Sequence, residues 1–237
     1  MARLARIVIP GLPHHITQRG NRRETVFFSD DDYQAYVSML AGAVTKAGSE
    51  VWAWCLMPNH VHLIVTPSHP DGLRQSVANA HRRYSARINA RNKWTGHLWQ
   101  GRYGSVVMDE PHLLHAIAYI SQNPVRAGLV RRAKDWKWSS VNAHLAGKDD
   151  ALTTVAPVLS RIDDFADFLQ QDFDEEAFNT LRRAEIVGRP VGSPEFIKDL
   201  EDQTGRQLMP QRPGPKNKGS RKTGPRKNSR AKKKRRR

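Results

Sequence analysis

The chain has 237 residues, enough to bury a substantial core in one domain with extensions or in two small domains. Its formal net charge is +16, which favours a polyanionic partner, nucleic acid first. The single cysteine, Cys55, excludes an internal disulfide and fits a reducing cytoplasm; no apolar run reaches the roughly 18 residues of a membrane span, and no signal-peptide core is read at the N-terminus.

Ile7-Val8-Ile9 leads into a Pro10-Gly11 turn. His14-His15-Ile16-Thr17-Gln18 reads as a first strand, closed by Arg19-Gly20-Asn21. Successive strand residues point to opposite faces, so at most one of His14 and His15 faces any site. Ser29-Asp30 opens a helix with the apolar stripe Tyr33, Val37, Leu40, Val44 and Ala47, stopped by Gly48. Val51 to Met57 is a second strand with Trp52, Trp54 and Leu56 on one side. Pro58-Asn59 then turns the chain into a third strand, antiparallel to the second.

In that third strand Val61, Leu63 and Val65 alternate with His60, His62 and Ile64. The aliphatics go to a core, and the two histidines share the other face, roughly 6–7 Å apart along the strand. Both imidazoles can converge there on one metal ion, although a His-x-His taken alone is more simply two ordinary sheet histidines.

A helix from about Leu73 to Ala90 buries Leu73, Val77, Ala80, Tyr84 and Ile88. It aligns Arg83, Arg87 and Arg91 on another face, as a solvated surface or a phosphate track. His97 to Asp109 reads as a fourth strand ending in Val106-Val107-Met108. Its interleaved Trp99, Gln100, Arg102 and Tyr103 suit stacking on unpaired bases, unless Trp99 belongs to the core. The order β-α-β-β-α-β predicts an α+β, ferredoxin-like fold: a four-stranded antiparallel sheet with both helices on one face and strands one and three central. The histidines are then expected on a helix-free face, open to a large substrate.

A further helix is predicted from about Glu110 to Gln122, with Pro111 in its first turn and Pro124 ending it. Leu113, Ala116, Ile117 and Ile120 form its buried face, and His112, His115, Tyr119 and Asn123 fall on a neighbouring stripe. Asp135 to Ser140 looks like a packed corner, and Asp163 to Leu181 like an acidic helical region. Gly188-Arg189-Pro190 introduces a short helix from Ser193 that Gly205 ends. These last two segments read equally as a small DNA-reading unit or as a helical cap. From Gln211 onward fourteen Lys and Arg meet no acid, so this stretch carries almost all the net charge. Its low complexity predicts disorder when free.

Four separated motifs, in order, carry a family resemblance: Pro13-His14-His15-Ile16-Thr17-Gln18-Arg19-Gly20-Asn21, Met57-Pro58-Asn59-His60-Val61-His62-Leu63-Ile64, Trp99-Gln100-Gly101-Arg102-Tyr103, and Tyr119-Ile120-Ser121-Gln122-Asn123-Pro124-Val125-Arg126-Ala127-Gly128. Together they resemble the single-tyrosine HUH transposases of the IS200-like family, and more narrowly the REP-associated tyrosine transposases of bacteria. The resemblance spans roughly residues 3–140 and, more loosely, Gly188 to Gly205.

It implies a transposase domain at 1–145, a helical extension at 146–210 and a basic tail at 211–237. The implied activity is that of a sequence-specific single-stranded DNA endonuclease and strand transferase on hairpins of palindromic repeats. His60 and His62 would hold Mg²⁺ or Mn²⁺ with Asn123, for which Gln122 is the competitor. Tyr119 would attack the scissile phosphorus, forming a 5′-phosphotyrosine and releasing a 3′-hydroxyl, with no nucleotide cofactor. DNA contacts are expected from His15, Arg19, Asn21, Arg83, Arg87, Trp99, Arg102, Arg126 and Arg189. A monomer is expected rather than a homodimer, in the bacterial cytoplasm at the nucleoid. Two other readings stay open. A non-catalytic binder of RNA-recognition-like fold expects aromatics where the histidines stand. A metal phosphohydrolase that activates water does not need Tyr119.

Overall fold

Strands and helices alternate as the hydrophobic periods dictate: β1 (His14–Arg19), α1 (Asp30–Lys46), β2 (Glu50–Met57), β3 (His60–Thr66), α2 (Asn79–Asn92) and β4 (Gly104–Val107). A π-helical turn, Arg74–Ala78, leads into α2. The computed structural model describes residues 6–171 and 175–209. The basic tail from Gln211, and Phe173 of the acidic region, lie outside the described residues. The sheet order is β2-β3-β1-β4, antiparallel throughout, which is the ferredoxin-like arrangement with β1 and β3 at the centre.

One face of the sheet buries Ile16, Leu56, Val61, Leu63 and Val65 against Tyr36 and Leu40 of α1 and Tyr84 and Ile88 of α2. Each such aliphatic removed from water contributes on the order of 1.5–3 kcal/mol. An ion pair between the buried Asp32 and the exposed Arg91 ties the two helices together. Arg91 donates through both terminal nitrogens to Asp32, at 2.6 and 2.9 Å. Burial pushes the Asp32 carboxyl up, but Arg91 and the Phe28 amide outweigh it and hold the group below the usual range.

The opposite face is not helix-free. It carries Ala53, Cys55, Met57, Ile64 and Val106, which cannot be left in water, and α3 (Glu110–Arg126) covers them with Leu113, Ala116, Ile117 and Ile120. Four more helices follow: α4 (Val141–Ala146), α5 (Ala156–Leu159), α6 (Phe165–Phe168) and α7 (Glu175–Val187). Val141, Phe165, Phe168, Phe178 and Leu181 from this region extend the same layer. An eighth helix, α8 (Pro194–Thr204), packs Leu200 with Ile7, Ile9 and Val107. The two segments flanking Gly188-Arg189-Pro190 thus both pack on the sheet domain.

Two local expectations are corrected. Trp52 does not share a face with Trp54 and Leu56, because a register shift between Val51 and Ala53 puts Trp52 and Ala53 together on the α3 side. Pro124 does not end α3, which runs on to Arg126. Pro124 and Asn123 are both buried in the helix, and the last turn is held by Ala127 and Leu129 amides donating to the Asn123 and Pro124 carbonyls at 2.9 Å each. Packing here outweighs the one hydrogen bond that proline forfeits.

Both margins of the sheet are bonded by other parts of the chain. Along β2, the Leu56 amide donates to Trp138 O (2.9 Å), Ser140 N to Trp54 O (2.9 Å) and Thr154 N to Val51 O (2.8 Å). Along β4, Val191 N donates to Val107 O (3.0 Å), and Arg6 donates to Tyr103 O from Nε and Nη2 at 3.1 and 3.0 Å.

Candidate active site

The alternation of β3 puts Val61, Leu63 and Val65 under the helices α1 and α2 and leaves His60 and His62 on the α3 side. The antiparallel register sets Arg19 opposite His60 and Thr17 opposite His62. The two imidazoles meet edge to face, 4.9 Å between centroids. His60 Nδ1 lies 2.6 Å from Asn59 Oδ1, an acceptor, so Nδ1 carries the proton and Nε2 keeps a lone pair. His62 Nδ1 lies 3.1 Å from His15 Nε2, and His62 Nε2 is buried with no hydrogen-bond partner.

Burial and positive neighbours keep these rings neutral. Burial lowers the His15 pKa to about 3. Burial, then the Arg19 guanidinium, lowers that of His60 to about 3. His62 is held well below its ordinary value, first by burial and then by His60, His15, Arg19 and Arg182. Such rings are poor proton donors at neutral pH and good electron-pair donors.

Asp109 caps α3, accepting from the His112 amide at 3.2 Å, and Pro111 fits the first turn. Two and a half turns on, the helix brings Tyr119 edge-on to His62 (5.3 Å, 87°) and His15 (6.3 Å, 75°). Tyr119 is 6 % exposed. Asn123 follows one turn later, buried, its Nδ2 without a partner. Gln122 faces elsewhere, its Nε2 donating to Leu169 O at 2.5 Å. His112 is engaged by Asp109 Oδ1 at 2.5 Å.

Sequence reasoning missed the contribution of α7. Phe178 lies against the Tyr119 ring, 5.3 Å between centroids, and Arg182 reaches the hydroxyl, with Nε 3.4 Å from the phenolic oxygen. The available signal was the spacing of Phe178, Leu181 and Arg182, one aromatic and one cation a helical turn apart.

The residues expected to touch DNA are scattered. Arg19, Asn21 and Arg102 are exposed. His15 is fully buried and holds His62. Trp99 is buried among Phe27, Tyr84 and His81, with Nε1 donating to His81 O at 3.3 Å, so its ring presents no face to a base. Arg83 and Arg87 are exposed on α2, across the sheet from Tyr119, and Arg91 of the same stripe is bound to Asp32. A basic cleft of about 430 Å³, lined by Lys46, Arg74, Gln75, Asn79 and Arg82, lies on that same far layer. Arg126 stands 4.9 Å over the Phe178 ring, and Arg189 donates to Leu208 O at 3.3 Å.

Among the described residues no three His, Cys, Asp or Glu side chains converge on a metal position. The donor set on offer is two neutral imidazoles and an amide. The orphaned His62 Nε2, a buried lone-pair donor, lacks the partner that buried groups ordinarily have. This set fits a divalent cation that takes further oxygens from a phosphate.

Residues 9–123 match the model of a family described as transposase, IS200 like. The chain is 26% identical over 98 residues to the REP-associated tyrosine transposase of Escherichia coli (strain K12), an alignment that covers 41% of this chain and 57% of that relative. It also shares a fold, with a TM-score of 0.54 at 22% identity over 65% of this chain and 92% of the other, with a REP-associated tyrosine transposase solved bound to a REP hairpin. No described helix is long and apolar enough to cross a membrane.

Proposed function

We propose, from the match of residues 9–123 to the IS200-like transposase family, that the protein cuts and rejoins single-stranded DNA at hairpins of palindromic repeats, with Tyr119 as the nucleophile. The observation that carries this reading is the placement of the Tyr119 ring 5.3 Å from His62 on a helix that also carries Asn123.

Tyr119 attacks the phosphorus, its oxygen replacing the departing 3′-oxygen, and the adduct is a 5′-phosphotyrosine. Attack by another 3′-hydroxyl reverses the step and joins strands. One phosphodiester replaces another, so no energy-carrying cofactor is required. His60, His62 and Asn123 would hold a divalent cation, Mg²⁺ or Mn²⁺. Such an ion supplies Lewis-acid polarisation of the phosphate when bound. The chain's own part is to fix that donor set. Asn59 orients His60, His15 orients His62, and the rigid helix α3 holds Tyr119 and Asn123 in one frame. Arg19, exposed and opposite His60, would meet the phosphate backbone.

The test is a denaturing gel of protein incubated with a hairpin oligonucleotide and Mn²⁺. A band of protein joined to the cut strand is expected for the native chain and not for Tyr119→Phe, which keeps the ring and its packing. An adduct formed by the Phe variant would remove Tyr119 as the nucleophile, and cutting without an adduct would favour a water-activating phosphohydrolase.

A further inference from the structure

We propose that Arg182, on a helix outside the family-matched region, is a positioning residue for Tyr119: its guanidinium holds the phenolic oxygen and stabilises the negative charge that builds there during attack. The inference rests on the reading of Tyr119 as nucleophile.

Several interactions converge on this arrangement. Arg182 Nε donates to the Tyr119 hydroxyl at 3.4 Å. The guanidinium carbon lies 5.4 Å from the centroid of the same ring, within cation–π range. Phe178, one turn earlier on α7, packs on that ring at 5.3 Å, and Arg126 of α3 covers the other partner of the pair at 4.9 Å from Phe178. Phe178 and Leu181 are buried and seat α7, so the helix carries Arg182 to the hydroxyl on a packed support. Arg182 Nη1 is also 3.4 Å from Asn179 Oδ1, which steadies the guanidinium along its own helix.

An ordinary phenol is protonated at neutral pH and a weak nucleophile. In the step proposed, the Tyr119 oxygen forms a bond to phosphorus as the bond from phosphorus to the 3′-oxygen breaks. The phenolic proton passes to solvent, and solvent returns one to the departing 3′-oxygen, so that one hydroxyl and one phosphodiester become one of each. Charge on the phenolic oxygen grows before the new bond is complete, and a guanidinium donating to it is aimed at that charge.

The test uses the full chain and a single-stranded oligonucleotide that folds into a palindromic hairpin from the DNA flanking its gene. Hairpin affinity and the single-turnover rate of adduct formation at saturating DNA are measured for the native chain, Arg182→Gln, Arg182→Lys and Tyr119→Phe. The Gln variant is expected to lose roughly tenfold or more in rate, with affinity little changed, and the Lys variant to recover most of the loss. An unchanged or faster rate for Arg182→Gln, a loss confined to affinity, or no rescue by Lys would overturn the assignment. If the native chain forms no adduct, or Tyr119→Phe still does, the tyrosine reading itself fails and takes this inference with it.

Discussion

His15 Nε2 and His62 Nδ1 lie 3.1 Å apart across the β1–β3 pair, with both rings buried and nearly parallel. When His62 Nδ1 donates to His15, the lone pair of His62 is left on Nε2, where the buried atom has no other partner. With the bond in that direction, His15 sets the tautomer that a metal would meet. His15→Phe keeps a ring of similar size and removes the acceptor. The expected result is roughly a 10–100-fold rise in the Mn²⁺ concentration needed for half-maximal cleavage, the usual scale for losing an orienting partner. An unchanged metal requirement would mean that packing alone sets the His62 ring.

The choice between the two amides of α3 follows from where each points. Asn123→Ala should raise the metal requirement, because Asn123 shares the Tyr119 face. Gln122→Ala should leave that requirement alone and cost about 1 kcal/mol of stability through the missing hydrogen bond to Leu169. Metal titration of cleavage and urea unfolding of both variants separate the two effects; a metal requirement that moves only with Gln122 would reverse the assignment.

Acid should weaken the fold through its buried histidines, those outside the site adding to those within it. Burial lowers the pKa of His14 to about 4 and that of His81 to about 3. The unfolded chain binds protons at these sites near pH 6.5 and the folded chain does not, so stability is full above that pH and falls as pH drops toward 4. Each site contributes a loss on the order of 1 kcal/mol at pH 5.5. The melting temperature should drop by about 5 °C or more between pH 7.5 and 5.5; a flat profile would show that these rings accept protons without unfolding.

Removal of residues 211–237 should weaken DNA binding without regard to sequence. The slope of log affinity against log salt should shrink by about 0.7 for each phosphate that the shortened chain no longer neutralises on a single strand. A slope identical to that of the full chain would mean that this stretch does not touch the DNA used.

The sheet and its histidine pair were legible because one repeat of period two fixes both strand and face. Val61, Leu63 and Val65 are aliphatic, His60 and His62 are not, and the register to β1 follows from the fold that the element order implies. Tyr119 and Asn123 were legible through helical spacing. The covering of the histidine face was not, because nothing local in Phe165, Phe168 or Phe178 says which surface they meet. The bulge at Trp52 breaks an alternation that continues unbroken in the letters. Pro124 misled in the opposite direction: a strong local rule for ending a helix yields to the burial of Asn123 and Pro124 themselves. Trp99 is equally at home against a base or in a core, and only the ring of aromatic neighbours around it decides.

The bonds along the margins of the sheet bear on how the domain can be handled. The Trp138–Ser140 and Thr154 segments seal β2, and Val191 helps seal β4, all downstream of residue 123, where the family match stops. A fragment cut at that boundary would keep the histidine strand and most of the tyrosine helix yet lose those partners, leaving backbone amides and carbonyls bare on two flanks. Bare flanks recruit strands from neighbouring chains, so the excised piece should self-associate more readily than the full chain. The smallest portion that keeps these bonds to both flanks extends through Val191, so the segment most easily dismissed as an appendage completes the sheet.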